Sequence, residues 1–191
     1  FVFNTRKNIF KDREVCKAIS LVFDFEWLNK NIFYNQYKRT SSFFQNTDLA
    51  SSGIPEKLEL SYLNKYRNQL PNQIFNKEFL LSTTDGSGNI RNQLKTAKKI
   101  LSESGWKIKN NQLINIKTNK PFKFNITIIQ PSLERVILPF TKNLRKLGII
   151  CEIRVLDSSQ YIERLNNYDY DMIVTTIPQS FNPGNEQRNY W

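Results

Sequence analysis

The sequence contains no histidine, which removes the commonest general base and the commonest metal ligand of proteins. It has only two cysteines, Cys16 and Cys151, and two isolated cysteines give neither a metal-binding spacing nor a redox pair. Each is predicted to be a small buried hydrophobe, one in a helix and one in a strand, and a disulfide between them stays open. We therefore expect no metal site, no cofactor and no enzymatic activity.

Long apolar runs are also missing. No stretch approaches the roughly 18 residues that cross a bilayer, and the hydrophobic and charged fractions, 39% and 24%, are ordinary for a folded soluble protein. The first residues lack an initiator methionine and the charged and apolar regions of an export signal. The start of the sequence is therefore expected to lie inside a longer polypeptide.

Positive charge is abundant, since the formal net charge is +11. Such an excess is typical of proteins that bind phosphate backbones. Here Lys and Arg are interleaved with Asp and Glu, and the densest groups follow one predicted helix, as on a solvated face: Lys95, Lys98, Lys99, Lys107 and Lys109. A basic module that binds nucleic acid or an acidic surface is kept as the alternative function, and no nucleic-acid partner is expected.

Two acidic or glycine-rich patterns invite a catalytic interpretation. Asp169 and Asp171 are two residues apart, so in a strand they share a face, but solvation of a strand edge explains them more simply. Residues 85–89 resemble a phosphate-binding loop only superficially, because they lack the Lys-Ser/Thr pair and the dinucleotide spacing. We interpret them as a turn in which Asn89 caps the next helix.

Helical and strand patterns alternate along the chain. Asp12 stands where an N-cap belongs, Gly105 and Gly148 where helices end, and Pro139 predicts a kink inside its helix. Residues 40–80 lack a sustained period and predict an insert of short helices and irregular chain. The predicted helices cover residues 13–34, 89–104, 131–147 and 158–165, and the predicted strands cover 122–130, 149–156 and 170–177.

The order strand, helix, strand, helix, strand with short connections predicts parallel strands, because crossover connections are right-handed. The fold class is therefore α/β: a three-layer lobe with a mostly parallel sheet and helices on both faces. The last strand, an apolar and β-branched run, is expected to be covered on both faces.

The chain changes character after that strand. Amide, hydroxyl, carboxylate and guanidinium groups follow at its carboxyl end, where open α/β sheets bind their ligands. A polar connection without a binding role is the alternative explanation. The candidate ligand-binding residues are Thr175, Thr176, Ile177, Pro178, Gln179, Ser180, Asn182, Asn185, Glu186, Gln187 and Arg188.

Several segments, in this order, resemble extracellular solute-binding family 5, the oligopeptide and dipeptide receptors of ABC importers. They are residues 3–5, 10–24, 97–106, 144–149 and 170–172. Residues 24–27, 31–34, 40–44 and especially 182–188 are similar to the Yej-type branch, which is associated with oligopeptide and microcin C uptake.

The resemblance implies a non-catalytic, periplasmic lobe that closes on a peptide and presents it to the permease subunits of an importer. The chain would be the C-terminal lobe of a class II two-lobed protein, with the N-terminal lobe and the closing C-terminal segment absent. An apolar patch is then expected near Trp191 and the Phe43-Phe44 pair.

The family's strand-end loop carries an Asp that holds the peptide ammonium, and Ser180 stands at that position here. The resemblance therefore leaves two possibilities: Glu186 supplies the carboxylate, or the ligand's amino terminus is not anchored in this way. Arg188 would take a ligand carboxylate or phosphate, or would serve as an ion-pair partner within the protein.

Overall fold

The computed structural model describes residues 1–189. Tyr190, Trp191 and the side chain of Asn189 lie outside the described part, so the expectation of an apolar patch at Trp191 stays a prediction. The chain divides into two compact units. The first unit combines Phe1–Gln36 with Thr83–Thr176, and the second combines Tyr37–Ser82 with Ile177–Trp191.

The first unit contains a four-stranded sheet and a separate hairpin. In chain order the strands are β1 (Val2–Phe3), β2 (Trp106–Lys109), β3 (Gln112–Asn115), β4 (Lys123–Ile128), β5 (Ile150–Val155) and β6 (Met172–Ile173). The sheet order is β1-β6-β4-β5; β4 pairs in parallel with β5 and with β6, and β1 adds an antiparallel edge. The predicted mixed α/β fold with a mostly parallel sheet is confirmed. The hairpin of β2 and β3 and the edge strand β1 were not predicted.

Five helices belong to the first unit: α1 (Arg13–Leu21), α2 (Phe25–Asn31), α5 (Arg91–Glu103), α6 (Glu134–Lys146) and α7 (Ser158–Asn166). Asp12 caps α1 as predicted, by accepting a hydrogen bond from the Glu14 amide. The single helix predicted for residues 13–34 is wrong. The helix is interrupted after Val22, because the Asp24 side chain accepts a hydrogen bond from the Trp27 amide and so starts α2 as a new helix.

Two further local predictions are corrected. Ile90, not Asn89, is the N-cap of α5, and Asn89 only accepts a 3.3 Å bond from the Arg91 amide. The last strand is much shorter than the predicted 170–177, because only Met172 and Ile173 pair with neighbouring strands. These two residues are buried, as predicted, whereas Thr175, Thr176, Ile177 and Pro178 are exposed. Helix α6 continues through Pro139, and the kink there stays a prediction.

Aromatic and aliphatic side chains of the first unit form one core. Phe10 packs edge-to-face on Phe124 with 5.3 Å between ring centroids, and Trp106 lies 4.5 Å from Phe122. Phe122, Phe124, Ile126 and Ile128 are all at most 1% exposed, so the predicted apolar face of β4 is confirmed. Aromatic pairs of this kind stabilise the fold by more than the burial of their apolar surface alone.

Gly148 joins the hairpin to the sheet. It follows α6 with φ +78°, and a Cβ there would lie 2.7 Å from the Leu113 amide nitrogen. The Leu113 amide donates to the Gly148 carbonyl at 2.8 Å. Gly105, after α5, has φ +83° but open space around it, so the two predicted helix-ending glycines differ in what surrounds them.

Within 37–82, the second unit contains two short α-helices, α3 (Lys57–Asn64) and α4 (Gln73–Asn76), joined by turns. Phe75 is the one buried apolar residue within 37–82, and the Arg67 guanidinium lies 4.1 Å from its ring centroid. The predicted insert of short helices and irregular chain is therefore observed. Across residues 1–189, no helix is both long and apolar enough to span a bilayer.

Candidate functional site

The chain leaves β6 at the carboxyl edge of the sheet. The Tyr161 hydroxyl on α7 donates to the Val174 carbonyl at 3.1 Å, and the Thr175 side chain also hydrogen-bonds to Tyr161. Burial raises the pKa of Tyr161, Tyr170 raises it further, and the Thr175 bond partly offsets this rise. Thr175 is thus engaged with α7, although the sequence predicted it only as a ligand contact. Thr176, Ile177 and Pro178 are exposed.

Glu186 is the centre of the polar loop that follows. Its Oε1 accepts bonds of 2.8 Å from the Gly184 amide and 2.8 Å from the Ser180 hydroxyl, and a weaker 3.4 Å bond from Gln187. All three of these bonds go to Oε1, and none of them goes to Oε2. One carboxylate oxygen therefore holds the loop together, while the other stays available.

The same contacts set the charge of Glu186. The Gly184 amide, followed by the Ser180 hydroxyl, lowers the pKa of the Glu186 carboxyl from 4.5 to about 2. Hydrogen bonds to the charged form favour ionisation, so this carboxylate is negative at neutral pH. The loop thus presents a fixed anion next to Ser180.

A second contact links the two glutamines of the loop. The Gln187 Nε2 donates to the Gln179 Oε1 at 2.8 Å. The Gln179 Nε2 is buried and has no hydrogen-bond partner in the described part of the chain. Buried donors are normally satisfied, so this amide is suited to a carbonyl that arrives with a ligand.

Side-chain hydrogen bonds link four of the predicted residues, Gln179, Ser180, Glu186 and Gln187. Asn182 enters the cluster through its backbone carbonyl, which lies 2.9 Å from the Ser180 hydroxyl. Asn185 and Arg188 are exposed on the 3-10 helix Asn185–Asn189, and Arg188 forms no ion pair with any residue of 1–188.

Sequence reasoning missed Phe181, which is 77% exposed between Ser180 and Asn182. An aromatic residue inside a polar loop is the signal that could have identified it. Exposed aromatic rings at a binding loop can pack on apolar ligand groups.

The other candidate residues have structural roles. Asp169 pairs with Arg164, and Asp171 accepts a bond of 3.0 Å from the Asn125 amide. Residues 85–89 form a turn, as predicted, in which Asp85 accepts bonds from Ser87. Both carboxylates beside β6 therefore have partners within the chain.

Cys16 and Cys151 are free and half-buried, so the open question of a disulfide is answered in the negative. They lie in α1 and β5, the helix and the strand that the sequence predicted. Burial raises the pKa of both thiols, that of Cys151 to about 12. Such thiols are poor nucleophiles at neutral pH.

Comparisons with known proteins place these features in a family. A putative binding protein of Brucella suis is 42% identical over 192 residues, which cover 100% of this chain and 31% of that protein. A probable peptide-binding protein, YejA, of Agrobacterium fabrum is 36% identical over 191 residues, which cover 100% of this chain and 31% of that protein. The chain thus spans about a third of the length of the curated relatives it matches.

A solved structure shares the fold. The oligopeptide-binding protein AppA from Bacillus subtilis, in complex with a nonapeptide, matches with a TM-score of 0.63 at 20% identity, over 95% of this chain and 31% of AppA. The sequence model of a protein family, described as bacterial extracellular solute-binding proteins, family 5 Middle, matches residues 1–191. The resemblance seen in the sequence is confirmed, and binding proteins are favoured over both an enzyme and the nucleic-acid-binding alternative. The chain belongs to the bacterial extracellular solute-binding proteins of family 5.

Proposed function

We propose that this chain forms the peptide-binding part of the substrate-binding component of an ABC-type oligopeptide importer. The observation that carries the proposal is the Glu186 carboxylate, which is ionised, held by Ser180 and Gly184, and open at Oε2. A peptide's terminal ammonium is the complementary group, and a charge-assisted bond to a fixed carboxylate is stronger than a neutral one.

Other groups of the loop suit the rest of a peptide. The buried Gln179 amide would donate to a backbone carbonyl, and Asn182 and Asn185 offer further amides. Backbone bonds of this kind give affinity that tolerates different side chains. Thr176, Ile177 and Pro178 would form the wall of the site beside these amides.

Arg188 narrows the possible ligands. It is the loop's only described cation, so it would bind a ligand carboxylate or phosphate. A microcin C-like peptide conjugate, which the similarity to the Yej-type branch suggests, would carry such a group at the end away from its ammonium.

The family indicates the cellular location and the membrane partners that we propose. Its members are extracellular by description, and we propose a periplasmic location with permease subunits as the membrane partners. The chain would be the C-terminal lobe, and the other lobe would close over the peptide by a hinge motion.

The test is Glu186→Gln in the complete protein, with peptide binding measured by calorimetry. We expect affinity for peptides with a free amino terminus to fall roughly ten- to hundredfold, because a charge-assisted bond becomes a neutral one. The N-acetylated forms of the same peptides should bind equally to both proteins. Glu59→Gln, an exposed change on α3, is the matched control.

Unchanged affinity for the free peptides, in a variant whose fold is intact, would assign Glu186 a structural role only. Failure of the unaltered protein to bind any peptide in the panel would overturn the proposed function itself.

A further inference from the structure

Eight of the 28 Lys and Arg residues fall within two segments that contain no Asp or Glu, residues 106–123 and 142–146. We refer to these segments together as the basic end. Its cations are all exposed: Lys107, Lys109, Lys117, Lys120, Lys123, Lys142, Arg145 and Lys146. The two segments are separated along the sequence, so from the sequence alone their charges look scattered.

Backbone hydrogen bonds join the two segments at one end of the sheet. The Phe122 amide, just before β4, donates to the Leu113 carbonyl at 2.7 Å, and the Leu113 amide donates to Gly148, just after α6. The Ile150 amide, at the start of β5, donates to the Phe122 carbonyl at 2.9 Å. The basic end therefore lies at the amino ends of β4 and β5, the opposite edge of the sheet from that at which β6 ends.

Most of these charges have no acidic partner. Lys123 pairs with Glu152 at 2.7 Å. The other seven form no ion pair within the described residues. Charges of one sign on neighbouring segments raise the local positive potential, and in about 0.1 M salt this potential extends roughly 10 Å from the surface.

The same end contains a depression of about 280 Å³. Arg145, Thr141 and Asn111 line it and offer hydrogen-bond donors, and the apolar residues Ile149 and Ile150 also line it. Glu152 also lines it, but its charge is offset by Lys123. An anionic group with an apolar neighbour fits this lining.

We propose that the basic end docks on the anionic phospholipid headgroups of a membrane surface. Seven cations without an ion-pair partner in residues 1–188, spread over 107–120 and 142–146, match a surface that carries many phosphates, whereas a single small anion would use only a few of them. The depression would accept one phosphodiester beside Arg145, with its glycerol against the isoleucines. This surface is distinct from the proposed peptide loop and adds a membrane-binding function to the chain.

The test is co-sedimentation of the full chain with vesicles of phosphatidylglycerol and phosphatidylcholine, and with vesicles of phosphatidylcholine alone. The variant carries Lys107→Gln, Lys109→Gln, Arg145→Gln and Lys146→Gln. The control carries Lys11→Gln, Lys30→Gln, Lys38→Gln and Lys77→Gln, which lowers the net charge equally at exposed positions outside the basic end. Circular dichroism checks that both remain folded.

We expect binding to the anionic vesicles only, weakening as salt is raised. Each cation near an anionic membrane contributes about fivefold, so the variant should lose at least about tenfold in vesicle partition, and the control much less.

Equal losses in variant and control would show that net charge alone attracts the chain, and would overturn the proposal. So would equal binding to neutral vesicles, no binding to anionic vesicles at low salt, or duplex DNA bound as tightly as the vesicles. Release from the vesicles by millimolar inorganic phosphate at constant ionic strength would assign the depression to a free anion instead.

Discussion

At the scale of single residues, Ser180 and Glu186 act as one unit. A serine cannot by itself hold an ammonium ion as a carboxylate does, but its hydroxyl lies 2.8 Å from the Glu186 Oε1. If Ser180 stands where the resemblance places the family's acid, as we propose, the Glu186 carboxylate lies beside that position. In that proposal the serine positions the charge and the glutamate supplies it.

Ser180→Ala should raise the pKa of Glu186. The Gly184 amide is the larger cause of the low value, and it remains, so we expect a pKa above about 2 but still below 4.5. Carbon-13 NMR titration of the Glu186 carboxyl measures it. Ser180→Thr, which keeps a hydroxyl, is the control, and an unchanged value in the alanine variant would contradict the observed bond.

The sign of the associated pH effect is fixed by the direction of the shift. Because the folded-state pKa lies below the unfolded one, Glu186 stabilises the loop fully above pH 4.5, and this contribution disappears as pH falls from 4.5 to about 2. In the Ser180→Ala variant, the Glu186 contribution to loop stability should already be lost at a higher pH than in the unaltered chain. Binding of a free ammonium should therefore not depend on Glu186 titration between pH 5 and 8.

At the scale of elements, the ends of helices decide how the first unit is assembled. Gly148 ends α6 and lets the hairpin approach the sheet, whereas Gly105 only ends α5. Both have positive φ, so both favour glycine. The difference between them is the backbone that stands beside Gly148.

Gly148→Ala should destabilise the chain more than Gly105→Ala. At both positions an alanine meets an unfavourable φ, at about 1 to 2 kcal/mol. At Gly148 its Cβ would also lie 2.7 Å from the Leu113 nitrogen, which is backbone and cannot rotate away. We therefore expect at least about 1 kcal/mol more loss there, from urea unfolding curves. Equal losses would show that the hairpin is free to shift.

Sequence patterns predicted the elements well and their interruptions poorly. The apolar periods identified β4, β5 and α5–α7, because burial on one face imposes those periods. The break before α2 was missed, since an apolar stripe continues across it while the Asp24 side chain caps a new helix. Asp24 is an N-cap residue type, but only the bond to Trp27 shows that it is used as one.

The candidate site was predictable in its location but not in its contacts. A polar loop after a buried strand indicates where a ligand can bind. The contact between Ser180 and Glu186 joins residues six apart in an irregular loop, and no spacing rule predicts it. Nor could the sequence show that two basic segments meet at one end of the sheet.

At the scale of the whole molecule, the two units differ in how much they bury. The first unit contains the aromatic and aliphatic core, whereas Phe75 is the single buried apolar residue of 37–82. Few buried apolar contacts and exposed backbone hydrogen bonds characterise regions that open locally. The insert is thus the less stable part of the described chain.

Hydrogen exchange should separate the two units. We expect the amides of β4 to exchange at least roughly a thousandfold more slowly than the slowest amides of 37–82, because only the former require opening of the core. Mass spectrometry of peptides from the full chain measures both in one experiment. Similar protection in the two regions would contradict the expected difference in stability.

The last prediction concerns peptide affinity. If this chain is one lobe of a two-lobed receptor, as we propose, a peptide gains most of its buried surface only when both lobes enclose it. One loop must then offset an association cost of roughly 4 to 15 kcal/mol, so the isolated chain should bind peptides more weakly than about 1 mM. Calorimetry on this chain and on the complete protein, with the same peptides, measures the difference. Micromolar binding by the monomeric chain would show that residues 1–191 already contain the whole site, and that the second lobe is not needed for recognition.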